Sequence, residues 1–350
     1  MPRLCAIETA VPQYAFSQTE ISHFAAEHFG SHLGDLEKLM PIFSNAGIAT
    51  RYFAKPLDWV GRKRTMAESN AAYIETATAL SLQAVTAVLE KNNLERNQID
   101  YIIYVNTTGL ATPSIDARLI NLLNFRRDIR RTPIWGLGCA GGAAGLSHAF
   151  HYAQGHPRER ILVVSTELCS LTFIPDDHSK SNFVATALFA DGSAAALVVG
   201  DKVELPGLEM LASRSTFYPD SLDVMGWNID TRGLQVVFAQ RIPDIVAEHA
   251  KKDLSQFLDE CELRLGDISQ FLFHPGGTKV LQAYENALGI TNGSLSLSKT
   301  ILSEYGNMSS CTVLFVIERY LKEYGFGRGG HGLVSALGPG FCSESLLLEL

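Results

Sequence analysis

Cys139, His274 and Asn307 each stand where the chain turns sharply beside an apolar element. Cys139 lies in Gly138-Cys139-Ala140-Gly141-Gly142, between the apolar Ile134-Trp135-Gly136-Leu137 and a helix-like stretch. His274 ends the apolar run Phe271-Leu272-Phe273 and precedes Pro275-Gly276-Gly277, which forces a turn and throws the ring beyond the strand end. Asn307 sits in Tyr305-Gly306-Asn307-Met308-Ser309-Ser310, again ahead of a helix-like stretch. A thiol at a helix N-terminus meets unpaired N–H groups, which favour the thiolate. That thiolate can attack a thioester, with a His as its cationic partner or as a donor to an oxyanion. An Asn amide can donate to an enolate or a tetrahedral oxygen. The trio therefore fits acyl transfer through a thioester. His with Asn fits decarboxylation of a malonyl thioester, because two donors hold the enolate and no strong base is required. Plainer readings stand beside these: a small buried hydrophobe for Cys139, a strand cap for His274, a helix N-cap for Asn307. Cys5, Cys261, Cys311 and Cys342 are expected to be buried hydrophobes, and the other nine His to be solvated.

The elements that must position these residues come in two similar sets. In the first, an amphipathic stretch from Ala79 to Leu94 leads to an apolar run, Tyr101 to Val105, and the loop Asn106-Thr107-Thr108-Gly109. In the second, Val246 to Leu265 leads to Phe271–Phe273 and the loop His274-Pro275-Gly276-Gly277. Each loop is followed by its own Gly-Cys or Gly-Asn turn, which places Asn307 opposite Cys139. The pattern reads as an ancient duplication: residues 1–203 carry the nucleophilic Cys and residues 204–350 the His and Asn. Alternating strand-like and helix-like segments indicate an α/β protein with largely buried sheets. The helix after Cys139 is crowded with Ala140, Gly141, Gly142, Ala143, Ala144 and Gly145. So much Gly is unfavourable in a helix and implies close packing against a buried neighbour.

Composition narrows the classes. Of 350 residues, 46% are hydrophobic and 19% charged, ordinary for a globular chain with a large core. The net charge of −8 argues against general affinity for nucleic acid or anionic membranes. Six Cys without a CxxC pair fit neither a zinc site nor a disulfide framework, so no metal and a reducing compartment are expected. Glu8 interrupts the apolar N-terminal stretch, and no run approaches the roughly 18 residues of a membrane span, so a cytoplasmic protein is expected.

Trp135-Gly136-Leu137-Gly138-Cys139-Ala140-Gly141-Gly142, His274-Pro275-Gly276-Gly277, Tyr305-Gly306-Asn307-Met308-Ser309-Ser310 and Ala336-Leu337-Gly338-Pro339-Gly340-Phe341 together resemble the type III polyketide synthases, the chalcone synthase family. The resemblance runs from end to end. It implies the thiolase fold, a duplicated five-layered αβαβα architecture, and a homodimer that needs no cofactor. It further implies that Cys139 carries the growing acyl chain from an acyl-CoA starter, while His274 and Asn307 activate thiolate and malonyl-CoA enolate. Phe189, in Leu188-Phe189-Ala190-Asp191-Gly192, would stand at the gate to the CoA tunnel. In the stretch Gly233-Leu234-Gln235-Val236, Val236 stands where plant members have a second gate Phe. Cys169 stands where many have Thr. Thr172, Thr107, Ala190 and Ser309 complete the expected wall. Thr112, in the Pro-containing loop after Thr107-Thr108, would reach the partner's cavity. Of the family's basic residues at the CoA mouth, only Lys38 is matched. The segment Glu167–Phe173 looks most like bacterial members that turn fatty acyl starters into alkylpyrones or alkylresorcinols.

Other readings remain. One is a ketoacyl synthase III performing a single condensation, although that family's His-Gln-Ala-Asn motif is replaced by His274-Pro275-Gly276-Gly277. Another is a type III synthase making an aromatic or phloroglucinol-type product. A hydroxymethylglutaryl-CoA synthase would require a catalytic Glu, and none stands out. A non-catalytic thiolase-fold scaffold would have no reason to keep the trio.

Overall fold

The computed structural model describes every residue except 31, 32, 35 and 292. The first half supplies Arg3–Ala10 (β1), a small ribbon of Tyr14–Ser17 (β2) with Thr50–Phe53 (β3), then Tyr101–Asn106 (β4), Arg130–Trp135 (β5), Arg160–Leu168 (β6) and Asp191–Val199 (β7). The second supplies Leu208–Phe217 (β8), a second ribbon of Met225–Asp230 (β9) with Gly233–Phe238 (β10), then Ile268–Phe273 (β11), His331–Gly338 (β12) and Cys342–Glu349 (β13). The large sheet runs β11-β12-β13-β8-β1-β7-β6-β4-β5.

The duplication is visible in this order. β4 and β6 pair in parallel, and β6–β7 and β7–β1 pair antiparallel. In the same sense β11–β12 is parallel, while β12–β13 and β13–β8 are antiparallel. Only β5 lacks a counterpart among the described strands. The halves join where Arg3 and Leu4 of β1 meet Glu209 and Leu208 of β8.

Helices fill the layers. Met66–Lys91 covers the outer face of the first half-sheet, against β1, β6 and β7. Gly141–Gly155 and Thr312–Tyr324 pack on each other between the half-sheets. Ile242–Glu260 and Thr278–Leu288 close the far side. Strands covered on both faces need near-continuous apolar sequence, which is what β6 and β7 show. The helix Gly141–Gly155 packs so closely on its neighbours that a Cβ on Gly142 would lie 2.1 Å from the Ser310 carbonyl oxygen, and one on Gly141 2.6 Å from a Val105 methyl on β4. Each Gly costs about 1 kcal/mol relative to Ala in a helix. The contact it permits is the compensation, as the small-residue run implies.

Two sequence readings shift. The helix ahead of β4 begins at Met66 rather than Ala79, because Thr65 and Glu68 form a reciprocal capping box there. The helix ahead of β11 spans Ile242–Glu260 rather than Val246–Leu265. The longer first helix is, by length and composition, apolar enough to cross a membrane, contrary to the expectation that no stretch approaches that. Half of that apolar window is buried inside the protein.

Candidate active site

Cys139 is the middle residue of a one-turn helix, Gly138–Ala140, that runs directly into Gly141–Gly155. The turn is braced by Thr107, whose Oγ1 accepts the Gly138 N–H at 2.9 Å. Thr107 thus supports the Cys139 turn from behind. The thiol is buried; its Sγ lies 3.6 Å from Ser309 Oγ and 4.0 Å from Asn307 Oδ1. Ser309 takes a left-handed backbone, φ 51°, which turns its hydroxyl to the sulfur.

Asn307 is fully buried and held on both sides of its amide. Oδ1 accepts the Ser309 N–H at 2.8 Å, and Nδ2 donates to the Gly276 carbonyl at 3.2 Å. The first bond is the local cap that its sequence position suggested. The second ties it to the loop of His274 and leaves one amide N–H for a ligand. The main chain is fixed as well: Asn307 N–H donates to Leu188 O, and Ala190 N–H donates to Asn307 O, both at 2.9 Å. Phe189 is therefore clamped beside Asn307.

His274 leaves the end of β11 with its N–H on the Ser335 carbonyl at 2.8 Å. Its side chain is 5% exposed, and neither ring nitrogen has a hydrogen-bond partner among the described residues. A buried imidazole left so is costly, and a ligand in the site would offset that cost.

Electrostatics depart from the sequence expectation. Burial pushes the Cys139 thiol up to about 12, outweighing the hydrogen bond with Ser309 that pulls it down. Burial also pushes the His274 imidazole down to about 3. The helix N-terminus does not prevail, because the one-turn helix carries the sulfur into a desolvated core. Each group is neutral when charged alone is the alternative. At neutral pH both groups of the free site therefore rest uncharged.

Cys139 faces a chamber lined also by Cys169, Phe189, Trp227, Val236 to Phe238 and Ser309. The Phe189 and Phe238 rings meet edge to face, 6.3 Å between centroids, so Phe238 is the aromatic partner that Val236 is not. Behind Cys169, Phe189, Trp227 and Val236 lies a second chamber, walled by Phe24, Phe53, Val60, Phe173, Ile174 and Leu234 among others. Thr172 lines this one. Ala190 is fully buried in the core behind the wall. Thr112 is exposed on its loop, and Lys38 is exposed on the short helix Leu36–Leu39.

Three residues escaped the sequence reading. Glu167 is fully buried beneath the Cys139 turn, where Oε2 accepts from the Thr107 N–H, Thr108 N–H and Thr108 Oγ1, and Oε1 from Ser310 Oγ at 2.6 Å. Four donors occupy its carboxylate, which makes it a brace. Trp227 pairs across the ribbon with Val236 and lines both chambers. Arg51 is taken up below. A buried Glu inside an apolar strand was a readable signal. Arg51 lies far in sequence from the motifs and gave none; Trp227 lies close to Gly233–Val236 and is found once the hairpin pairs it with Val236.

Comparison with known proteins decides the family. The N-terminal domain of chalcone and stilbene synthases matches residues 2–202, and their C-terminal domain matches 209–350. The chain belongs to the chalcone and stilbene synthase family. It is 41% identical to a putative chalcone synthase of Bacillus subtilis (strain 168), over 100% of this chain and 99% of that one. It is 37% identical to the 1,3,6,8-tetrahydroxynaphthalene synthase of Streptomyces peucetius subsp. caesius, covering 99% and 92%. The crystal structure of the corresponding synthase from Streptomyces coelicolor A3(2) superposes with a TM-score of 0.95 at 27% identity, covering 99% of each chain. The synthase is accordingly a type III polyketide synthase with the thiolase fold, and an acyltransferase.

Proposed function

We propose that the synthase loads an acyl group from acyl-CoA onto Cys139 and extends it with malonyl-CoA. Loss of CO₂ breaks the bond between the malonyl carboxylate and its α-carbon. The electron pair moves into a thioester enolate, whose oxygen takes hydrogen bonds from His274 and Asn307. The α-carbon then attacks the Cys139 thioester, a C–C bond forms, and the sulfur leaves as thiolate. A neutral imidazole suits this role, since it donates without competing as an acid. Removing one such donor typically costs about 2.7 to 4 kcal/mol. Phe189 orients the malonyl group, Lys38 contributes to CoA binding, and the catalytic work divides between residues 1–203 and 204–350.

The starter on this reading is a fatty acyl group, and the products are alkylpyrones or alkylresorcinols. The observation that carries it is the apolar second chamber behind the shared wall. Each CH₂ placed there contributes about 0.8 kcal/mol. A second reading, an aromatic product, is favoured by the likeness to tetrahydroxynaphthalene synthases. Product mass spectrometry with hexanoyl-, lauroyl- and an aromatic acyl-CoA, and with malonyl-CoA alone, separates the two. Lauroyl-CoA should give the highest kcat/KM, and Val236→Phe should shift preference to the shorter chain. A parent that prefers the aromatic starter, or that needs no starter, sinks the fatty acyl assignment.

The working unit is a homodimer. The edge strand β5 ends the sheet, and Leu110, Leu122 and Trp135 expose large apolar side chains. Thr112 lies on the same loop as Leu110, within reach of a partner's cavity in such an assembly. A fully active monomer in light scattering at assay concentration would exclude this.

A further inference from the structure

Arg51, on β3, is completely buried yet distant in sequence from every catalytic motif. Its Nη1 donates to the carbonyls of Thr186 and, at 3.2 Å, Phe189. Its aliphatic stem lies against Gly306: a Cβ there would fall 2.8 Å from Arg51 Cγ, and Gly306 adopts φ 75°. Arg51 thus touches the residue before Asn307 and holds the carbonyl of Phe189, the two segments that the Leu188–Asn307–Ala190 bonds lace together. Its charge is compensated through space by Asp191, two residues beyond Phe189. Asp191 is itself fixed by the Ala54 and Ser170 N–H groups, each at 2.7 Å, and by the Ser170 hydroxyl. Ser170 adjoins Cys169 on the chamber wall. Among the described residues, Arg51 Nε and Nη2 have no hydrogen-bond partner. A guanidinium kept at that cost, where an apolar side chain would pack, calls for a reason.

We propose that Arg51 is a positioning residue for decarboxylation: by bracing Gly306 and the Phe189 carbonyl from behind, it sets where the Asn307 amide and the Phe189 ring meet the malonyl group. The inference rests on the role given above to Asn307. Starter acylation of Cys139 does not use that amide, so it is independent of Arg51. A displacement of about 1 Å in a catalytic group can cost about 10²-fold in rate.

The test uses full-length Arg51→Met and Arg51→Lys, alone and combined with Asn307→Ala. CO₂ release from malonyl-CoA and the mass shift of Cys139 on incubation with an acyl-CoA are both read, with Tm as the check on folding. Arg51→Met should lose about 10²-fold in CO₂ release while acylation stays within a few fold, and Arg51→Lys should recover much of the loss. On the Asn307→Ala background the Arg51 substitution should add far less than its full effect, the remainder being what it does through Phe189. Equal loss of both steps, an unimpaired Arg51→Met, or a further full loss on the Asn307→Ala background overturns the proposal. If Arg51→Met does not fold, Arg51→Lys in the same cycle decides by its additivity. If Asn307→Ala alone leaves CO₂ release intact, the reading of Asn307 fails, and this inference with it.

Discussion

Cys139 and Ser310 hold the same place in their halves: each is the middle residue of a one-turn helix that leads straight into a central helix. Their surroundings differ. Ser310 is fully satisfied, with Oγ 2.8 Å from Ser165 Oγ and donating to Glu167. Cys139 points into a chamber, and the side chains nearest its sulfur, Asn307 and Ser309, belong to the other half. The strand tips ahead of these turns show the same division with the halves exchanged. Asn106 donates to the Gly109 carbonyl at 2.7 Å and is spent on its own loop. His274, at the matching tip, has both ring nitrogens unpartnered among the described residues. In each matched pair one polar residue is satisfied within the fold and the other is left without that satisfaction. Hydrogen bonding completed within each half supports the fold; on the reading proposed above, the chemistry falls to the groups left over.

The largest break in this comparison is removal of the sulfur. Cys139→Ala should abolish product formation while Tm changes little, since Ala nearly fills the space of a thiol. An acyl-CoA extended at near parental rate by the folded variant would show that Cys139 is not the nucleophile. Next comes Asn307→Ala, with a loss of about 10² to 10³ in CO₂ release from malonyl-CoA. Cys139 should still be acylated by the starter. Loss of both steps alike would mean that the second half holds the nucleophile rather than the enolate.

The pH dependence sharpens the contrast further. Burial raises Cys139 to about 12 and lowers His274 to about 3, so at neutral pH the free enzyme rests as thiol and neutral imidazole. Only thiolate reacts with iodoacetamide. Alkylation should therefore rise about tenfold per unit from pH 6 to 9. A plateau reached below pH 7, abolished in His274→Gln, would show instead that the pair ionises together before substrate arrives.

Much of this was legible in the sequence. The α/β alternation, the doubled motif set and the small-residue helix all follow from local pattern, and they recur in the sheet order and in the packing of Gly142. The register of the duplication was not legible. Matching Gly138-Cys139 with Gly306-Asn307 sets Asn307 opposite Cys139. The one-turn helices instead equate Cys139 with Ser310 and put Asn307 two residues ahead of its turn. Two Gly-X turns look alike in sequence whatever their place relative to the helix start. Ionisation was misjudged for a related reason: a helix N-terminus can be read from sequence, but the depth at which the thiol is desolvated comes from elements far along the chain. The same holds for Arg51, whose role arises only when remote segments meet.

Ser310→Ala gives the smallest effect and tests the comparison most directly. Nothing in the chamber depends on this hydroxyl, so turnover should stay within a few fold of the parent. Stability should fall by about 1 to 3 kcal/mol, the cost of leaving a buried acceptor short of its donor. The acceptor is Glu167, whose carboxyl burial already raises while the Ser310 hydrogen bond opposes that rise. Removing the donor disfavours the ionised form further, so the folded pKa climbs. The deficit against the parent is therefore greatest at high pH, where Glu167 must carry its charge, and shrinks as pH falls and the carboxyl protonates. Thermal unfolding of both proteins from about pH 5 to 9 should show the gap in Tm widening with pH. A gap that narrows with rising pH would remove Glu167 as the partner. A turnover loss as deep as that of Asn307→Ala would mean that Ser310 acts in the chemistry, and that the two equivalent turns are not divided between frame and reaction.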